Sequence, residues 1–202
     1  MTDGAISNRP AEEKIIRLRL NELHLFKGYS ALNGIMPRNQ PYLVRDEDPS
    51  MVRLIARIKA RGVRQPALVR PDPEGGYEII DGHRRYRASE LSEHPDMPVI
   101  IRDLSDEEAV AEMVDGNVQR ENVLPSERAW AYRMYLEAEK KRAGRPAKNS
   151  PKFSANFRSD DEIGKSLGIS GDTLRNYIQL TELRQELMDK VDAQEIGLTI
   201  AY

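Results

Sequence analysis

Residues 66–88, PALVRPDPEGGYEIIDGHRRYRA, hold two short apolar runs around a turn, then a glycine-led basic segment. PALVR (66–70) and YEIID (77–81) have strand composition, and PDPEGG between them is turn chemistry, so 66–81 reads as a β-hairpin. The segment from Gly82 predicts a helix through Leu91. A helix starting directly after a strand presents free backbone N–H groups and a partial positive charge at that junction. Gly82 lets the backbone come close to a bound group, while Arg84, Arg85 and Arg87 add fixed charge of bidentate geometry. The junction therefore suits a phosphate or polyphosphate, with a solvated basic helix face as the alternative that local chemistry leaves open. No GxxxxGK[ST] occurs anywhere, which argues against Walker-type NTPase chemistry.

Outward from this junction, IIRLRL (15–20) predicts a strand, and Gly28, Gly34, Pro37, Pro41 and Pro49 make 27–50 an irregular loop. Met51, Leu54, Ile55 and Ile58 form a helical stripe that Asp48 or Ser50 can cap and Gly62 can end. A further strand, VIIRDL, follows Pro98. Ser105 to Glu108 is a capping-box start for a helix to about Val114. Pro125 opens another helix to about Arg142, and short helices are expected at 161–167, 171–180 and 183–191. The fold class is α+β in the N-terminal part, followed by an all-α part. The expected divisions are a tail at 1–14, a nucleotide-binding domain at 15–115, a connecting motif and helix at 116–142, a basic linker at 143–158 and a helix-turn-helix domain at 159–202.

The chain has 202 residues, no Cys, three His and a net charge of −2. Zero Cys excludes disulfides, thiolate nucleophiles and Cys-based zinc sites. No apolar run reaches the roughly 18 residues of a membrane helix, and the first residues lack an apolar signal core. These observations predict a cytoplasmic protein with no membrane partner. The charge is segregated: 0 over 1–50, +3 over 51–102, −6 over 103–129, +6 over 130–158 and −5 over 159–202. Such asymmetry points to partner binding or to docking of opposite charges within the chain.

SDDEIGKSLGISGDTLRNYIQL (159–180) fits a helix-turn-helix. Ile163 and Leu167 face inward on the first helix, Gly168 permits the turn, and Ser170 caps a second helix whose Leu174 and Ile178 face inward. Gly171, Asp172, Thr173, Arg175, Asn176 and Gln179 are then expected outward. Ser170, Thr173, Arg175, Asn176 and Gln179 become the candidate DNA contacts, with Arg145 and Lys148 of the basic linker on phosphates. Trp130, Tyr132 and Tyr135 read as packing rather than a stacking platform.

Three segments in order resemble the ParB family of DNA-partition proteins: DPSMVRLIARIKARGVRQPALV (48–69), GHRRYRA (82–88) and NVQRENVLPSE (117–127). The likeness is nearest to mobile-element members, which often carry G-H-R-R and L-P-S-E-R. It implies CTP binding, with Gly82, His83, Arg84 and Arg85 around the triphosphate and Gln65 toward the base. Asn117 would help hold Mg²⁺, and Arg120 would pair with phosphate. It also implies partition of a plasmid, mobile element or chromosome, a centromere-like duplex DNA site, a ParA-like ATPase partner, a nucleoid-associated location and a homodimer. Gly116 stands where the family carries Glu, so the resemblance implies slow or no CTP turnover. The sequence stops at Tyr202, before the dimerisation region expected from the family. Two alternatives share the scaffold. One is a transcriptional or nucleoid-occlusion-like regulator. The other is a small-molecule kinase, a scaffold relative like sulfiredoxin, whose own reaction the missing Cys excludes.

Overall fold

The antiparallel hairpin expected at 66–81 is formed by β3 (Ala67–Pro71) and β4 (Tyr77–Asp81). The computed structural model describes residues 13–29, 32, 35–37, 39–118, 120, 123–144 and 160–198. β3 and β4 sit inside a five-stranded mixed sheet of order β1-β5-β3-β4-β2. β1 (Ile15–Arg19) runs antiparallel to β5 (Asp96–Ile101), β5 parallel to β3, and the two-residue β2 (Leu23–His24) parallel to β4. β5 begins two residues before Pro98, earlier than expected. Pairing with β3 starts only at Val99, so the N–H that Pro98 lacks leaves no gap on that side.

The helices arise where the capping chemistry puts them. α1 (Pro49–Arg61) is capped by Asp48, whose carboxylate accepts the Ser50 N–H at 3.0 Å. α2 (His83–Leu91) follows Gly82 directly. α3 (Asp106–Val118) begins with a reciprocal box: Ser105 N–H donates to Glu108 at 2.9 Å, and Glu108 N–H donates to Ser105 Oγ at 3.3 Å. It runs about a turn beyond Val114. α4 (Pro125–Gly144), α5 (Asp160–Ser166), α6 (Gly171–Leu180) and α7 (Gln185–Asp192) complete the elements of the described residues.

Adjacent side chains of a strand point to opposite faces, and β4 uses both. Ile79 packs with Met51, Ile58 and Ala88 of α1 and α2, while Ile80 packs with Val110, Met113 and Met134 of α3 and α4. Both are fully buried, each worth about 1.5–3 kcal/mol. The second cluster continues without a break into Ile163, Leu167 and Leu174 of α5 and α6. Trp130, Tyr132 and Tyr135 are buried on α4, and Tyr132 meets Tyr177 of α6 edge-on at 5.4 Å.

Candidate functional site

Gly82 sets the geometry of the strand-to-helix junction. Its φ is +105°, and a Cβ there would lie 2.8 Å from the Ala67 Cβ. Both the left-handed backbone and the close approach to β3 demand glycine. α2 starts with no side-chain cap, so its first N–H groups face the space in front of the junction.

That space is a cleft of about 500 Å³. Gln65, Gly82, His83, Arg84, Arg85, Asn117 and Arg120, the seven residues named from sequence, all line it. The sequence reading missed Gln40, Tyr42, Ser50, Arg53 and Arg57, which line it too. Arg53 and Arg57 lie four apart on α1, a signal readable as a charged helix edge. Tyr42 belongs to a loop held from outside: the Glu127 carboxylate accepts the Leu43 N–H at 2.9 Å and the Leu124 N–H at 3.1 Å. Nothing local in the loop's sequence announces that clamp. Burial pushes the Tyr42 hydroxyl well above its ordinary pKa.

The arginines divide by task. Arg84 donates to Ser50 Oγ and stays at the cleft wall. Arg85 is committed to the protein, donating to the Gln65 carbonyl at 3.0 Å, to the Pro66 carbonyl and to Asp81 at 2.6 Å. It braces the turn that carries Gln65. Arg87 turns away to Asp46 at 2.6 Å and to Glu90, so it ties a loop to α2 instead of facing a phosphate. His83 is half-buried, its pKa is pushed down to about 4 by desolvation against an opposing Asp81, and its solvent-excluded Nε2 has no hydrogen-bond partner among the described residues. It is a neutral ring with one unused polar atom on the cleft lining, not a solvated imidazole.

A triphosphate fits this lining. Among the described residues, Arg53, Arg57, Arg84, Arg85 and Arg120 face a single lining carboxylate, Asp81, which Arg85 already pairs. A resident Mg²⁺ does not fit the same residues. Mg²⁺ sites use one or two carboxylates, whereas Asn117 donates to the Met113 carbonyl at 2.7 Å and its Oδ1 takes Arg120. Among the described residues no cluster of three or more His, Asp or Glu could hold a metal.

α5 and α6 meet through a tight turn. Gly168 has φ +74°, and a Cβ on Gly164 would lie 2.9 Å from the Ser170 carbonyl carbon. Ser170 Oγ accepts the Thr173 N–H at 3.1 Å and lies 2.8 Å from the Thr173 hydroxyl. Arg175 and Gln179 are exposed, and Thr173 and Asn176 half-buried. Gly171 was expected outward but is buried: a Cβ there would run into Asp161. Arg175 is surrounded by acids, with Asp172 at 2.5 Å, Asp160 at 3.4 Å and Asp161 at 4.0 Å. Arg145 and Lys148 lie outside the described residues.

Residues 31–118 match the family model of the ParB N-terminal domain. Over that span the chain carries a ParB N-terminal domain. It is 29% identical over 165 residues to the chromosome-partitioning protein Spo0J of Thermus thermophilus, covering 82% of this chain and 54% of that protein. It is 31% identical over 157 residues to the nucleoid occlusion protein of Geobacillus thermodenitrificans, covering 77% and 50%. This ParB-like chain spans about half the length of the curated relatives it matches. Among solved structures it resembles the C-terminally truncated ParB of Caulobacter crescentus complexed to the centromeric parS site. There the TM-score is 0.55 and the identity 22%, over 92% of this chain and 82% of that one. That likeness shows a shared fold. Among the described residues no helix is long and apolar enough to cross a membrane.

Proposed function

We propose that this ParB-like chain binds CTP in the α1–α2 cleft and a centromere-like duplex site through α5–α6, and serves DNA partition. The observation that carries the nucleotide reading is the convergence of cationic side chains and the uncapped start of α2 on one cleft. Arg53, Arg57, Arg84 and Arg120 bind the phosphates, and the α2 N–H groups donate to the phosphate oxygens over Gly82. Gln65, on the turn braced by Arg85, faces the base. The family likeness supplies cytidine, while the geometry argues only for phosphate.

Among the described residues the lining holds no unpaired carboxylate to orient a water, and Gly116 stands where the family carries Glu. The site therefore favours holding the nucleotide over hydrolysing it. Ser170, Thr173, Asn176 and Gln179 offer base-edge and phosphate chemistry on α6. The partners in this reading are duplex DNA, a ParA-like ATPase and a second copy of the chain. The similarity to a nucleoid occlusion protein favours a second reading, in which the same two sites serve that role.

Calorimetric titration of CTP against ATP and GTP, with and without Mg²⁺, tests the nucleotide reading. It requires a preference for CTP; equal heats for all three or none at all overturn it. A footprint on inverted repeats from the protein's own locus tests the DNA reading, which fails if no repeat is protected.

A further inference from the structure

We propose that α1 and the turn after it form a second nucleic-acid surface, which contacts the phosphate backbone of duplex DNA without reading sequence. The DNA part of this inference rests on the proposed function, while the surface is independent of α5–α6. Residues 49–71 contain Arg53, Arg57, Lys59, Arg61, Arg64 and Arg70 and not one Asp or Glu. Arg70 is absorbed by the fold, paired with Glu78 at 2.6 Å and Asp106 at 2.9 Å. The other five are exposed. None of these five forms an ion pair or side-chain hydrogen bond among the described residues. Arg17, Arg87, Arg102 and Arg175, by contrast, are each met by a carboxylate.

The arrangement works against the helix that carries it. Arg53, Arg57 and Arg61 recur every four residues on one stripe, and like charges at that spacing destabilise a helix by roughly 0.2–0.5 kcal/mol per pair. A carboxylate four residues away would relieve the repulsion, and α1 has none. The helix dipole compensates only near the end, at Lys59 and Arg61. An external anion removes this repulsion.

Length and placement favour a polymer over a single small anion. Arg53 to Arg61 spans about 12 Å along the axis, and Arg64 extends the charge past Gly62. One DNA strand rises about 3.4 Å per phosphate, so the stripe runs beside three or four successive phosphates. Arg53 and Arg57 also line the nucleotide cleft, but Arg61 and Arg64 do not. Those two are left over by the nucleotide reading. Arginine on a rigid helix is the residue best matched to phosphate oxygens. The surface also answers a deficit on α6, where the Arg175 charge is met by Asp160, Asp161 and Asp172.

The test uses fluorescence anisotropy of a labelled duplex of scrambled sequence, titrated over a range of salt, with the full 202-residue chain. Arg61→Gln with Arg64→Gln removes two cations outside the cleft. Lys14→Gln with Lys190→Gln removes the same charge outside α5 and α6. The first pair weakens scrambled-duplex binding about tenfold and lowers the salt slope by about 2, near 0.9 per lost phosphate contact. The second pair leaves both close to wild type, and CTP titration is unchanged in the first. Unchanged affinity and slope in the Arg61/Arg64 variant overturn the proposal, as does equal loss in the control pair. Loss of polyglutamate binding without loss of duplex binding assigns the stripe to an acidic protein and also overturns it. Asn176→Ala with Gln179→Ala separates the two ideas. If the α5–α6 reading fails, that variant binds every duplex normally while the Arg61/Arg64 variant remains impaired.

Discussion

Ser126, at the start of α4, donates its backbone N–H to one carboxylate oxygen of Asp192 at 2.9 Å and its hydroxyl to the other at 2.6 Å. Asp192 closes α7, 66 residues away. The pair joins the first turn of the long central helix to the last helix described. Ser126 is 2% exposed, so its polar groups have no water to turn to. Asp192→Leu leaves both donors without their acceptor, a loss of about 2–4 kcal/mol. Urea unfolding of the variant beside wild type measures it. A change under about 0.5 kcal/mol would show that the pair contributes nothing net.

Gly82→Ala tests the junction. The new Cβ must accept φ +105° and displace the Ala67 methyl. The backbone and overpacking penalties together amount to roughly 2–4 kcal/mol. The start of α2 shifts with them, so CTP binding is lost along with stability. A variant of wild-type stability and wild-type CTP affinity would refute the geometric requirement.

The neutral state of His83 gives a pH dependence with a definite sign. Its folded pKa is near 4 and its unfolded value near 6.5. Between these values the unfolded chain binds the extra proton, so stability rises with pH across that window. It is fully present above about 6.5 and lost as pH falls toward 4, a total on the order of 3 kcal/mol. His83→Gln removes this component, so the wild-type-minus-variant difference in unfolding free energy must fall as pH drops from 6.5 to 4. A pH-independent difference would place the ring in contact with water.

Asp172 restrains the one cation on the candidate DNA helix. Asp172→Asn removes the nearest carboxylate from Arg175, which is exposed and free to reorient. Affinity for duplex DNA rises and its salt dependence steepens, as expected for one more phosphate contact. Anisotropy at two salt concentrations measures both, and weaker binding would mean that the Asp172–Arg175 pair positions the helix for DNA.

Much of this was legible in the residues because it depends on local signals. Asp48, Ser105 and Ser170 cap the helices they precede, the hairpin forms around PDPEGG, and Gly82 sits where the backbone turns left-handed. The seven cleft residues were named because three motifs carried them. What stayed hidden depends on distant partners. β2 is two residues long, too short for an alternation to register. The task of Arg85 is set by carbonyls of the preceding turn, and that of Arg87 by Asp46, 41 residues earlier. The clamp of Glu127 on Leu43 crosses 84 residues. The unpaired arginines of α1 were masked because counting 51–102 as one block averaged them with the carboxylates of β4 and α2.

Titration of CTP into the wild-type chain and into Arg84→Ala tests the central claim most directly. Arg84 lines the cleft and its partner Ser50 is neutral, so its removal spares the fold while taking one charge-assisted contact from the phosphates. The account predicts CTP binding to wild type at one site and about 10–100-fold weaker binding to Arg84→Ala, with unchanged thermal stability. Wild type that takes up no CTP, alone or with DNA from its own locus, would contradict it. So would Arg84→Ala binding CTP as tightly as wild type.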